Sequence, residues 1–162
     1  MQPKGCGYLN KYMINNKKGF TLLELMIAVS VLIVALVGLL GVFAHMISLN
    51  ENSSKLTLAV AGCQAKLEEM RNANFSSLYA TYNAANFNPA GFSSGEAKGA
   101  ISINNSNPNL LQVFVSVSWR TRSNRVIGED RNLNGALDAG EDSNANGRLD
   151  SPAGITTLIG QR

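Results

Sequence analysis

The chain has 162 residues, 45% hydrophobic and 15% charged, with a formal net charge of +3, enough for one modest core and an anchor. The basic excess does not point to nucleic acid. Four of the fourteen basic side chains, Lys4, Lys11, Lys17 and Lys18, sit in the first 19 residues, where no acid stands, and the remaining ten face eleven acids. With one histidine (His45) and no nucleophile–base pair, phosphate loop or H-E-x-x-H, the chain carries no enzyme signature and no catalytic residue is expected.

Residues 25–44 hold no charge, and only Ser30, Gly38 and Gly41 interrupt their apolar character. At about 1.5 Å per residue, a helix of that length crosses a hydrocarbon core of roughly 30 Å. Lys17 and Lys18 stand before the run and no Lys or Arg follows until Lys55. That bias keeps the N-terminus cytoplasmic and carries residues 45–162 across the membrane. A secretory signal would place its small-residue cleavage site after the apolar run; here Gly19 precedes the run and no A-x-A-like site follows. A plain anchor leaves Glu24 unexplained. An ionisable group at the centre of a span costs about 2.5–3.5 kcal/mol, less near the helix start, where the dipole favours a negative charge.

The run K-K-G-F-T-L-L-E-L-M-I-A-V at residues 17–29 resembles the N-terminus of type IV prepilins and of type II secretion pseudopilins. The resemblance implies an α+β, pilin-like fold: a long N-terminal helix, transmembrane over residues 20–44 and amphipathic beyond, packed on a small antiparallel sheet. It implies that a prepilin peptidase removes residues 1–19 by cutting between Gly19 and Phe20, then methylates the Phe20 amine. It further implies that Glu24 meets the Phe20 amine of a neighbouring pilin or pseudopilin subunit in a filament. Electrostatics agrees, because either charge alone is costly in lipid and the pair is tolerable. Met1 and Met13 are both candidate starts; Met13 gives a seven-residue leader, MINNKKG. Cys6 would leave with the leader, so Cys63 has no disulfide partner in the exported domain and reads as a small core residue.

Beyond the anchor, Val42, Met46, Leu49, Leu56, Val60, Cys63, Leu67 and Met70 recur at steps of three, four or seven, one stripe of a helix that should run over residues 20–72. Glu51, Asn52, Lys55, Gln64, Lys66, Glu68 and Arg71 form the expected solvated face. The segment Q-A-K-L-E-E-M-R at residues 64–71 also resembles the helix end of PilV-like minor pilins and I-type minor pseudopilins. Residues 72–109, rich in asparagine, read as exposed loop with a short strand at 100–103, tethered by Phe75, Tyr79, Tyr82, Phe87 and Phe92. Residues 111–119 alternate as a strand whose Val113, Val115, Val117 and Trp119 should face the helix. A polar turn at 120–125, bearing Arg120, Arg122 and Arg125, leads to a returning strand at Val126 and Ile127, and residues 155–159 form the last strand.

Between those last strands lies a tandem repeat, EDRNLNGALDAG at 129–140 and EDSNANGRLDSP at 141–152, identical at seven of twelve positions. The first copy fits the calcium-loop pattern D-x-[DN]-x-[DN]-G-x5-E from Asp130 to Glu141. Calcium takes six to eight oxygens, and Asp130, Asn132, Asn134, the Ala136 carbonyl, Asp138 and Glu141 could supply them. The second copy offers Asp142, Asn144, Asn146, the Arg148 carbonyl and Asp150, but its twelfth position is Ala153 and lacks the bidentate acid. No long helix is expected beside either loop, so the pair is similar to the calcium repeats of dockerins and extracellular adhesive modules rather than to an EF-hand pair. Amides in place of carboxylates imply weak binding, on the order of 10⁻⁴–10⁻³ M. Six acids and two arginines over residues 129–150 would repel one another without a cation.

The expectation is a minor type IV pilin, single-pass in the inner membrane with a periplasmic domain, that joins or primes a pilus and carries one or two calcium ions as a clip. The alternatives are a minor pseudopilin of a type II secretion system and a calcium-dependent pilus-tip adhesin.

Overall fold

Thr21 sets where the long helix begins. Its hydroxyl accepts the Glu24 backbone N–H at 3.2 Å, and Thr21-Leu22-Leu23-Glu24 has the spacing of a capping box, so α1 (Leu22–Arg71) starts after the cap rather than at Phe20. The computed structural model describes residues 19–161; the expected leader through residue 18, with Lys17, Lys18 and Cys6, lies outside them. The chain divides into two compact units, one through Phe43 and one from Ala44 to Arg162. Within the first unit every described side chain is exposed, and this stretch of α1 is long and apolar enough to cross a membrane.

The second unit is an α+β domain in which the end of α1 packs on an antiparallel sheet. After α1 come α2 (Phe75–Tyr82), β1 (Asn86–Phe87), β2 (Ala97–Asn107), β3 (Leu110–Arg120), β4 (Val126–Ile127) and β5 (Ala153–Gly160). β3 is the centre: β2 pairs one edge along its length, while β4 and β5 share the other. Ala59, Cys63, Leu67 and Met70 of α1 close the core with Ile101, Ile103, Val113, Val115, Val117 and Trp119, as the alternation of β3 requires. The Cys63 thiol donates to the Ala153 carbonyl at 3.2 Å, and burial pushes its pKa up to about 12, which makes it an unreactive core group.

Several expectations are corrected. Val42, Met46, Leu49 and Leu56 are exposed, and the buried stripe begins only at Ala59. Lys55 is not on a solvated face: its ammonium binds Glu96 at 2.6 Å, Glu51 at 3.2 Å and the Arg120 carbonyl at 2.9 Å, joining α1 to the residue before β2 and to the last residue of β3. Residues 72–109 are less irregular than their asparagines suggest. Asn74 is an N-cap, its side chain accepting from Ser76, and α2 follows with Leu78 buried. β2 runs well past residues 100–103, since β3 pairs with it as far as Asn107 opposite Leu110. Phe75, Tyr82, Phe87 and Phe92 do pack on the core, whereas Tyr79 stays exposed. β5 likewise begins at Ala153 and ends at Gly160, outside the expected 155–159.

The register of β3 locates the repeats. Trp119 pairs with Ile127 and Val117 pairs with Ala153, so two steps along β3 span twenty-six residues of its partner, twenty-four more than a continuous strand uses. Twenty-four is two twelve-residue repeats. β4 and β5 are therefore the two halves of one edge strand in one register, with a whole number of repeats spliced between them. Deleting residues 129–152 would join Gly128 to Ala153 in that register. The variant is expected to keep cooperative unfolding and the circular dichroism of a helix–sheet domain. Its stability should fall by about 1–3 kcal/mol from re-exposing the Phe114 ring, and a non-cooperative melt would contradict the splice.

Candidate functional site

Gly19 and Phe20 precede α1 outside any element, and Phe20 is 84% exposed. Glu24 lies one turn on, also exposed. Its carboxylate accepts no hydrogen bond and meets no cation among the described residues, while its backbone is held by Thr21. A carboxylate four residues from Phe20 in an apolar helix thus has no partner within its own described chain. Cleavage before Phe20 would create one, an ammonium at the same end of the helix.

The two repeats fold into two loops with the same backbone. Leu133 and Ala145, fourth in their loops, have φ of 58° and 56°, and the sixth residues, Gly135 and Gly147, both have φ of 76°. A left-handed conformation at the sixth position is what glycine permits without strain, and this turns the chain back on its first aspartate. Asp130 accepts the N–H groups of Asn134 (3.1 Å) and Gly135 (2.8 Å); Asp142 accepts those of Asn146 (3.0 Å) and Gly147 (2.7 Å). Asn132 and Asn134 hold Asp138 through their amide N–H groups at 2.7 and 2.8 Å, and Asn144 and Asn146 hold Asp150 at 2.8 and 2.7 Å. The amide oxygens meanwhile accept backbone N–H groups two residues on.

Electrostatics divides the loops. Asp130 is 1% exposed and Glu141 5%, and no cationic side chain pairs with either among the described residues. Burial raises the Asp130 pKa; the N–H groups of Gly135 and Asn134 oppose that, and the Glu141 charge adds to it. Asp138, bonded by the two amides, is held below the ordinary carboxylate range. Burial works to raise Asp150, but Asn144, Asn146 and Arg148 outweigh it and hold that acid low. The structure brings Asp130, Asn132, Asn134, Asp138 and Glu141 into one loop and Asp142, Asn144, Asn146 and Asp150 into the other, with the Ala136 and Arg148 carbonyls at the seventh positions. Among the described residues no three acidic, histidine or cysteine side chains are grouped tightly enough to hold an ion by themselves, so any ion here would need amide and carbonyl oxygens as well.

The donor set fits a hard cation. It is all oxygen, with no histidine or cysteine in the repeats, and suits calcium rather than a transition metal. Each carboxylate has about four lone-pair sites, and the two N–H groups on Asp130 occupy only part of them. Glu141 receives Arg131 N–H at 2.9 Å and Asp138 N–H at 3.3 Å, which orients both of its oxygens.

The repeats are also packed against the sheet. Ser116 donates to the Leu149 carbonyl at 2.6 Å, Ser151 donates to the Val117 carbonyl at 2.5 Å, and the Arg148 guanidinium stacks 4.1 Å from the Phe114 ring centroid. Phe114 and Ser116, whose alternation suggested the outer face, are consequently buried. One acid was missed by the sequence reading. Glu129 bonds Ser143 and Asp150 across the repeats, and its only signal is that a glutamate opens each copy.

Residues 14–40 match the family model described as "Prokaryotic N-terminal methylation motif". The match covers the basic approach, Gly19, Phe20, Glu24 and most of the apolar run, and supports a type IV pilin-like N-terminus subject to processing by a prepilin peptidase. No curated protein and no solved structure matches the chain.

Proposed function

We propose that the chain is a minor type IV pilin: an inner-membrane subunit, cleaved between Gly19 and Phe20 and methylated on Phe20, that joins or primes a pilus through its apolar helix. The observation that carries this reading is Glu24, which has no partner among the described residues and stands in the apolar first half of α1 within a matched N-terminal methylation motif. In a filament the Glu24 carboxylate of one copy neutralises the Phe20 ammonium of the next, and the apolar surfaces of α1 pack together away from water. Neutralisation across the interface makes insertion of either charge tolerable and fixes the axial offset between subunits.

In this reading the repeats bind calcium and act as a clip on the sheet rather than as an adhesive tip. Support comes from their position: they bridge the two halves of an edge strand and cover the face of β3 that carries Phe114. An ion held by Asp130, Asn132, Asn134, the Ala136 carbonyl, Asp138 and Glu141 would offset the buried negative charge of the first loop. The same charge is a cost to folding in its absence.

Glu24→Ala is expected to leave leader cleavage unchanged and to reduce recovery of the protein in sheared filaments several-fold; equal recovery would contradict the pairing role. The combined substitution Asp130→Ala with Glu141→Ala should reduce the rise in thermal midpoint that calcium gives the unsubstituted protein. An unsubstituted protein whose midpoint is the same with calcium and with chelator would rule out the clip.

A further inference from the structure

Ala153, at the twelfth position of the second loop, is committed to β5, where it pairs with Val117. Pro152 precedes it, whereas the eleventh residue of the first loop, Gly140, takes a φ of 88° that proline cannot adopt. The second loop therefore runs straight into the sheet where the first turns in towards Glu141.

Glu129 fills the place so left. In the first loop, Glu141 accepts the N–H of the second residue, Arg131, on Oε1 and that of the ninth residue, Asp138, on Oε2; its own N–H donates to the Asp138 carbonyl at 3.2 Å. Glu129 makes the same three bonds to the second loop. It accepts the N–H of the second residue, Ser143, at 3.1 Å on Oε1 and that of the ninth residue, Asp150, at 2.9 Å on Oε2; its own N–H donates to the Asp150 carbonyl at 2.8 Å. The glutamate that opens each repeat thus closes the loop of the other.

Resting on the calcium reading above, we propose that Glu129 is the missing acid ligand of the second loop, so that the repeats form one reciprocal, two-ion unit rather than one complete site and one defective copy. The buried acid pair of the first loop, Asp130 and Glu141, lacks any cationic side chain among the described residues, which independently calls for a cation within this unit. The second loop repeats the same first, third, fifth, sixth and ninth residues, and Glu129 restores the twelfth. Because Glu129 directly follows Gly128 at the end of the β4 half of the edge strand, an ion in the second loop would also tie that half to Asp150, close to the start of β5.

The sixth-position glycine amides give each loop its own reporter, since Gly135 N–H bonds Asp130 and Gly147 N–H bonds Asp142. Calcium would be titrated into the full chain in detergent micelles while both amide resonances are followed. Both are expected to move in the unsubstituted protein. Glu129→Gln should weaken the Gly147 response by about tenfold or more, as loss of one charged ligand does, and leave the Gly135 response in place. Glu141→Gln should do the reverse. A calcium-free spectrum that superimposes on that of the unsubstituted protein outside the repeats establishes that each variant is folded. If Gly147 titrates alike with and without Glu129, or does not respond in a protein whose Gly135 does, the assignment of Glu129 is overturned and the first loop stands. If neither glycine responds in the unsubstituted protein, the calcium reading itself fails and takes this inference with it.

Discussion

The first half of α1 presents Leu, Ile, Val, Met and Phe side chains on every side, and none of them is buried. Leaving one such side chain in water rather than in an apolar medium costs about 1.5–3 kcal/mol, so a helix surface of this kind persists only in lipid or against other apolar helices. The rest of the chain answers to that constraint. That first half has one acid, Glu24, placed in the first turn of α1 where the dipole lessens the cost, and its polar cap, Thr21, stands at the end where a cytoplasmic leader would meet the membrane. One helix thereby serves two solvents: its early turns need lipid or neighbouring subunits, and its last turns from Ala59 supply the wall of a water-soluble core.

The second unit depends on β3, which is covered on both faces. On one side the α1 stripe and the odd-numbered residues from Leu111 to Trp119 make the core. On the other, the repeats lie over Phe114 and Ser116. A splice of a whole number of repeats into an edge strand is a low-cost way to add this layer, since the register on either side is preserved and no existing pairing is broken. Asp130 and Glu141, buried within this layer with no cationic side chain among the described residues, are the cost, and a bound divalent ion would offset it.

Local chemistry was legible in the sequence wherever period and partner coincided. The all-apolar run, the alternation of β3 and the paired loop motif each reflect short-range pattern, and each appears where expected. Long-range pairing was not legible. Nothing in residues 104–107 signals a strand; they become one because β3 lies alongside. Lys55 reads as a surface charge until Glu96 and the Arg120 carbonyl are brought to it from residues far along the chain. Val42, Met46 and Leu49 continue the periodicity of the core stripe, yet all three are exposed. Glu129 was hidden for the same reason: it serves a loop whose ninth residue lies twenty-one positions later.

The assembly account turns on whether an amine is made at Phe20. Intact-mass and N-terminal peptide mass spectrometry of the protein extracted from membranes of cells that contain a prepilin peptidase tests this directly. The account predicts a mature chain that starts at Phe20 and carries one methyl group on its amine. A chain that still holds Lys17 and Lys18 in those cells would contradict it and leave Glu24 without its partner.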